Sequence, residues 1–302
     1  MPRIAFLFAG QGAQYVGMGK TLLEESPIAR ELFTRAAEAL GYDLAQVCLQ
    51  GPAERLNRTD VSQPAIFVAS LAALEHFRSQ HPEVVAQCQA AAGLSLGEYT
   101  ALTFAGVLDF ADGVRLVQLR GQAMQAASEK TPSGMVSVLG LDVHAVEQLC
   151  QRVRTAGRLW IANYLAPGNI VVSGDRAACD ALEQIVQAEG LGKTVRLAVA
   201  GAFHTEIMHP ADKQLAQALL TIPLRPARIP VYSNVDAQPH TDPEEIRQLL
   251  VQQVVRPVRW EETMRRLLNE GFDQFYEFGP GRVLAGLLKR IHRQAQCVNI
   301  PA

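Results

Sequence analysis

The chain has 302 residues, 48% hydrophobic and 19% charged, enough to bury a large core as one big domain or two. Its net charge of -2 gives no global electrostatic reason to bind nucleic acid or an anionic membrane, so a charged partner must be met by a local patch. No apolar run approaches the roughly 20 residues that span a bilayer, no signal or transit pattern opens the chain, and five scattered cysteines without C-x-x-C spacing argue against disulfides or a zinc site; a cytoplasmic protein without metal or cofactor is expected.

"RIAFLFAG" (3–10) is a nearly continuous apolar run ending in glycine, which suits a strand buried on both faces of a parallel sheet. Covering helices are expected over 20–40, 64–77 and 97–107, with "VVAQCQAAAG" (84–93) as a moderate strand before the third, and another helix over 112–127. The pattern then changes. "GMVSVLGL" reads as a strand, "VHAVEQLCQRVRTAG" as a helix, "LWIANY" and "NIVVSG" as strands around Pro167-Gly168, "AACDALEQIVQAEG" as a helix and "KTVRLAVA" as a strand. This β-α-β-β-α-β order predicts a ferredoxin-like subdomain over 131–200, inserted into an α/β domain made of 1–130 and 201–302. Strands "IPVYSN" and "FDQFYEFG" and helices "WEETMRRLLNEG" and "RVLAGLLKRIHRQ" complete the large domain, and a cleft between two domains favours a ligand site.

Gly93-Leu94-Ser95-Leu96-Gly97 fits G-x-S-x-G, the nucleophile elbow, in which glycines permit a sharp strand-to-helix turn that pushes the serine hydroxyl outward. Ser95 would then stand at a helix N-terminus, where unpaired backbone N–H groups and the helix dipole favour a developing oxyanion. A plain helix N-cap is the other reading, and the motif alone does not choose. Arg120 shares a helix face with Leu116, Val117 and Met124, at i-4, i-3 and i+4, so the face should be buried. A guanidinium there needs an anion: either an internal Asp or Glu, or a ligand carboxylate matched bidentately by its planar fork.

Five ordered segments, "FAGQGAQYVGM", "GLSLGEYTAL", "LRGQAMQ", "GAFHT" and "QQVVRPVRW", resemble the malonyl-CoA:acyl carrier protein transacylases of fatty-acid and polyketide synthesis, over essentially the whole chain. The resemblance implies a large α/β-hydrolase-like domain with a mainly parallel sheet beside the ferredoxin-like insertion. It implies Ser95 as nucleophile and His204 as its base, a choice over His209 that composition cannot make. Backbone carbonyl oxygen near Gln253 would orient the imidazole in place of the usual aspartate. Backbone N–H groups of Gln11 and Leu96 would form the oxyanion hole, and Arg120 would hold the malonyl carboxylate. Asn163, Gln253, Phe203 and Met124 would line the substrate site, with Phe203 crowding an α-methyl branch. "GQGAQ" is neither G-x-G-x-x-G nor a P-loop with its lysine.

Three positions depart from the family pattern: Leu94 stands where histidine is common, Leu165 where a second asparagine is usual, and Ala9 where the first loop has proline. The implied reaction is ping-pong transfer from malonyl-CoA, through a malonyl-serine, to the phosphopantetheine thiol of an acyl carrier protein, by a monomer. Carriers are usually acidic, so Arg256, Arg259, Arg265 and Arg266, or Lys289, Arg290 and Arg293, are candidate docking cations. Two alternatives stay open: a patatin-like serine hydrolase, whose dyad aspartate could be Asp112 in "DG", and an inactive carrier-binding scaffold.

Overall fold

The apolar run near the N-terminus becomes the centre of a sheet. A computed structural model describes residues 2–302, and its strands in chain order are β1 (Ile4–Phe8), β2 (Cys88–Gly93), β3 (Ser133–Leu139), β4 (Leu159–Ala166), β5 (Asn169–Asp175), β6 (Lys193–Arg196), β7 (Val231–Tyr232), β8 (Pro239–His240), β9 (Gln274–Gly279) and β10 (Gln296–Pro301). β1 is buried at all five positions and lies parallel between β2 and β9. Its alternating side chains feed two cores. Phe6 and Phe8 stack among Phe104 and Phe278 on one face, while Ala5 and Leu7 meet Trp260, Met264 and Leu284 on the other.

The large sheet has the order β10-β9-β1-β2-β7-β8, parallel except for the β7/β8 pair. Helices Thr59–Gln80, Leu96–Phe104 and Phe110–Lys130 contribute to the first core; helices Trp260–Asn269 and Val283–Ile291 contribute to the second. The chain is therefore an α/β protein with mixed sheets. A second sheet, β4-β5-β3-β6, is antiparallel throughout. Helices Val143–Arg152 and Arg176–Ala188 bury Val146, Leu149, Leu182 and Val186 against Val136, Val138 and Val172 on one of its faces. Met135, Asn163 and Val171 stand on the opposite face, turned toward the carboxyl ends of β1 and β2, where open α/β sheets place their ligands.

Several elements differ from expectation. The predicted helix over 20–40 is two, parted at Ser26-Pro27, where Ser26 Oγ caps the second by accepting from Ala29 N–H at 3.3 Å. "VVAQCQAAAG" is helical at its start, Pro82–Ala86, and extended only from Cys88. "KTVRLAVA" is a strand only to Arg196, and Leu197 and Val199 turn instead into the cleft. β10 was not expected: it is an edge strand with polar Gln296 and Asn299 and only partial burial. Among the described residues no helix is long and apolar enough to cross a membrane.

Candidate active site

Only Leu94 and Ser95 separate β2 from the helix Leu96–Phe104, so the turn is as sharp as two residues allow. The glycines on either side are required by space. A Cβ on Gly93 would lie 1.9 Å from the Gly97 carbonyl carbon, and one on Gly97 would lie 2.1 Å from the Phe8 oxygen. Ser95 itself adopts φ 51° and ψ -100°, a strained conformation that costs a side-chain-bearing residue about 1–3 kcal/mol. Asn234, in the turn after β7, brackets the strained residue: its Oδ1 accepts from Ser95 N–H at 2.6 Å and its Nδ2 donates to Gly93 O at 2.8 Å. The Ser95 side chain makes no cap bond to the helix, so its hydroxyl is free for other partners.

Those partners are His204 and Arg120. Ser95 Oγ lies 2.9 Å from His204 Nε2, and His204 Nδ1 lies 2.8 Å from the carbonyl oxygen of Gln253. A carbonyl can only accept, so Nδ1 carries the proton and Nε2 is left to accept from the serine. Burial first, and the Arg120 charge second, push the imidazole pKa down to about 4, which keeps it neutral at pH 7. His209, the alternative in sequence, is exposed and paired with Asp212 at 3.1 Å. Asp112 is likewise spent on Arg115 at 3.1 Å, and the group beside Ser95 Oγ is an imidazole, not the aspartate of a patatin-like dyad.

Arg120 is buried, as its helical face implied. Nη1 donates to Gln63 Oε1 at 2.7 Å; Nη2 donates to Gln253 Oε1 at 2.9 Å and to Ser95 Oγ at 3.1 Å. The guanidinium carbon sits 5.1 Å from the Tyr99 ring centroid. Among the described residues no carboxylate oxygen lies within 4.0 Å of it, so the internal salt bridge is not the arrangement adopted. Burial pulls its pKa below the usual arginine range. A buried cation held by neutral amides, with Nε unpartnered, is short of an anion.

The cleft above Ser95 holds about 240 Å³. Gln11 and Gly12 form one rim; Met135, Asn163 and Val171 of the small sheet form the opposite wall, and Phe203 and His204 close it. A Cβ on Gly10 would meet Leu94 O at 2.3 Å, so the first loop lies directly against the elbow. Among the described residues neither Gln11 N–H nor Leu96 N–H makes a hydrogen bond. Asn163 Oδ1 is buried and, among the described residues, has no hydrogen-bond partner. Met124, expected to line the site, is instead buried behind it: one turn beyond Arg120, its sulfur lies 3.5 Å from Gln63 Nε2. Leu94 and Leu165 both line the cleft, and Ala9 N–H donates to Phe278 O at 3.2 Å, a bond no proline could make.

Three residues of the network escape sequence reading. Gln63, on the helix Thr59–Gln80, and Asn234 are neutral amides far from Ser95 in the chain. Glu98 stands three residues after Ser95, the S-x-x-E spacing of a capping box, yet it is buried and its Oε2 accepts from Asn234 N–H at 3.0 Å and Gln253 Nε2 at 2.7 Å. Of the basic residues, Arg259 and Arg265 are neutralised by Glu262 and Glu261 at 2.6 and 2.7 Å. Lys289, Arg290 and Arg293 line a separate concavity of about 560 Å³ with Pro167 and, among the described residues, make no ion pair.

An acyl transferase domain model matches residues 5–301. The mitochondrial malonyl-CoA-acyl carrier protein transacylase of Homo sapiens is 44% identical over 301 residues, spanning 96% of this chain and 77% of that protein. The crystal structure of an acyl-carrier-protein-S-malonyltransferase from Bartonella henselae superposes with a TM-score of 0.94 at 37% identity, covering 99% of this chain and 96% of that one. A malonyl-transacylase solved in complex with its type II polyketide acyl-carrier protein gives a TM-score of 0.94 at 36% identity, with 99% and 96% covered.

Proposed function

The chain belongs to the acyl transferase domain family, and we propose that it transfers malonyl from malonyl-CoA to the phosphopantetheine thiol of an acyl carrier protein, for fatty-acid or polyketide synthesis. The observation that carries this reading is the Ser95–His204–carbonyl chain set beside a buried arginine that has no carboxylate partner among the described residues. His204 Nε2 takes the Ser95 proton as Oγ attacks the thioester carbonyl, and the oxyanion lies against the N–H groups of Gln11 and Leu96. The C–S bond then breaks, His204 returns the proton to the CoA thiolate, and a malonyl ester remains on Ser95. The carrier thiol reverses these steps, giving its proton to His204 and leaving with the malonyl group. Throughout, Arg120 binds the malonyl carboxylate, which orients the acyl group.

Acetyl-CoA would leave Arg120 without its anion, so malonyl is favoured. Phe203 crowds an α-methyl branch, and pocket size discriminates by about 1–3 kcal/mol per methylene, which gives preference and not exclusion. Asn163 offers its unpartnered oxygen as an acceptor to an amide N–H of the pantetheine chain, and Gln253 acts by holding His204 and Arg120. The carrier docks over Lys289, Arg290 and Arg293. In the same proposal the fold is an α/β-hydrolase-like domain of 1–130 and 201–302 with a ferredoxin-like subdomain of 131–200, supported by the order of the two sheets. A cytoplasmic monomer is part of the same proposal, with the mitochondrial setting named for the human relative as the alternative.

One experiment tests the reading. The protein is incubated with labelled malonyl-CoA, label is sought on Ser95, and carrier protein or water alone is then added. Label on Ser95 that passes to the carrier supports transfer; rapid loss to water replaces it with a hydrolase, and no label at all with an inactive scaffold.

A further inference from the structure

Gln253 meets the site through three groups: its backbone oxygen faces His204, its Oε1 faces Arg120, and its Nε2 donates both to Ser95 O at 3.0 Å and to Glu98 Oε2 at 2.7 Å. A side-chain amide is a nearly symmetric fork, and what decides its orientation is the donors and acceptors around it. Turned over, it would set NH2 against the guanidinium and oxygen against the carboxylate. Glu98 is the only ionisable one of its two Nε2 acceptors. Its carboxylate is held in turn by Asn234 N–H and rides on the same helix that begins at the nucleophile. It is 3% exposed and, among the described residues, forms no ion pair within 4.0 Å, an expensive burial for a group with no task.

We propose that Glu98 is a positioning residue of this site: together with Ser95 O it anchors the NH2 end of the Gln253 amide, and so fixes where Gln253 Oε1 holds the Arg120 guanidinium beside Ser95. It touches neither His204 nor the cleft; it reaches Arg120 through Gln253, and its second bond, from Asn234 N–H, is one that Glu98→Gln also keeps. The assignment of malonyl as the positioned ligand rests on the function proposed above; the assignment of the amide's orientation does not.

The test uses the full chain with Glu98→Met, which keeps bulk and removes the acceptor, and Glu98→Gln, whose oxygen can still accept from both Asn234 and Gln253. Acylation of Ser95 is followed with malonyl-CoA and with acetyl-CoA. Losing a bond network around a charged group predicts that Glu98→Met lowers kcat/KM for malonyl-CoA by about tenfold or more while acetyl-CoA changes by less than about threefold, and that Glu98→Gln restores malonyl loading. An equal fall for both substrates, or a Glu98→Gln as impaired as Glu98→Met, overturns the proposal. A crystal structure of Glu98→Met gives a second readout that needs no activity. The Arg120 Nη2 to Gln253 Oε1 bond should be lost, and its survival overturns the proposal even if the parent protein loads no malonyl, the outcome that would sink the functional reading alone. Should Glu98→Met fail to fold, Glu98→Asp, which withdraws the carboxylate by one methylene, is judged by the same outcomes.

Discussion

Acidification sets two buried groups of this site against each other. His204 has a folded pKa of about 4 against an ordinary 6.5, so as pH falls below 6.5 the unfolded chain takes up a proton that the folded site refuses, and stability falls. Glu98 is opposite in sign: desolvation raises its folded pKa to about 7 from 4.5, so the folded protein binds the proton first. Its contribution is present below 4.5 and is lost as pH rises through 7. At about 1.4 kcal/mol per pH unit, allowing for partial titration at the ends, going from pH 6.5 to 4.5 removes about 2 kcal/mol through His204 and returns about 2 kcal/mol through Glu98. The two nearly cancel in the parent protein. Replacing one should uncover the other: relative to the parent over this window, His204→Gln gains about 2 kcal/mol on acidification and Glu98→Gln loses about 2 kcal/mol. Urea unfolding at a series of pH values measures the slopes, which are independent of whatever each substitution costs at neutral pH. Difference curves that stay flat for either variant would refute the opposed titration.

Three further outcomes follow from the geometry. Arg120→Met should slow malonyl loading of Ser95 by roughly a hundredfold or more, the loss of two charge-assisted bonds, with acetyl loading changed far less; equal losses would mean that the arginine serves the nucleophile and not the acyl group. Gly97→Ala places a methyl 2.1 Å from Phe8 O and should cost roughly 3 kcal/mol, read as a lowered melting temperature. Leu94→His or Leu165→Asn puts a polar group into an apolar cleft wall, which should admit water and raise the rate at which labelled malonyl-Ser95 hydrolyses without carrier; an unchanged rate would make both leucines ordinary packing.

What was legible in the sequence is what local chemistry dictates. β1 shows itself because burial on both faces forces an uninterrupted apolar run, and the elbow because its two glycines are spaced by the turn itself. Arg120 was legible as buried from its helical neighbours, but not its partners: the amides Gln63 and Gln253 come from elsewhere in the chain, and nothing about an isolated glutamine marks it as the acceptor for a cation. His204 differs from His209 only by where the loop after β6 carries it, a tertiary fact. Glu98 was masked by its own spacing, since three residues after a serine at a helix start a glutamate has a commonplace capping explanation. β10 went unread because an edge strand with partly wetted faces lacks the apolar signal that made β1 plain.

A neutral carbonyl behind the imidazole, where other serine enzymes place a carboxylate, has a consequence for catalysis. Among the described residues no carboxylate touches His204 to offset Arg120, whose charge helps hold the imidazole pKa near 4, and an imidazolium formed during attack on the thioester would stand beside that same guanidinium. A malonyl carboxylate on Arg120 cancels the charge and lets the base accept its proton more readily; an acetyl group brings no such help. The two substrates should therefore differ in a specific way. The acid limb of kcat/KM reports the free enzyme and should fall near pH 4 for both, whereas the limb of kcat, which reports the bound complex, should lie higher for malonyl-CoA than for acetyl-CoA. Stopped-flow acylation of Ser95 across pH resolves the four limbs. If the kcat limbs coincide, the carboxylate serves only to anchor the acyl group, and the arginine's influence on the base persists with the substrate in place.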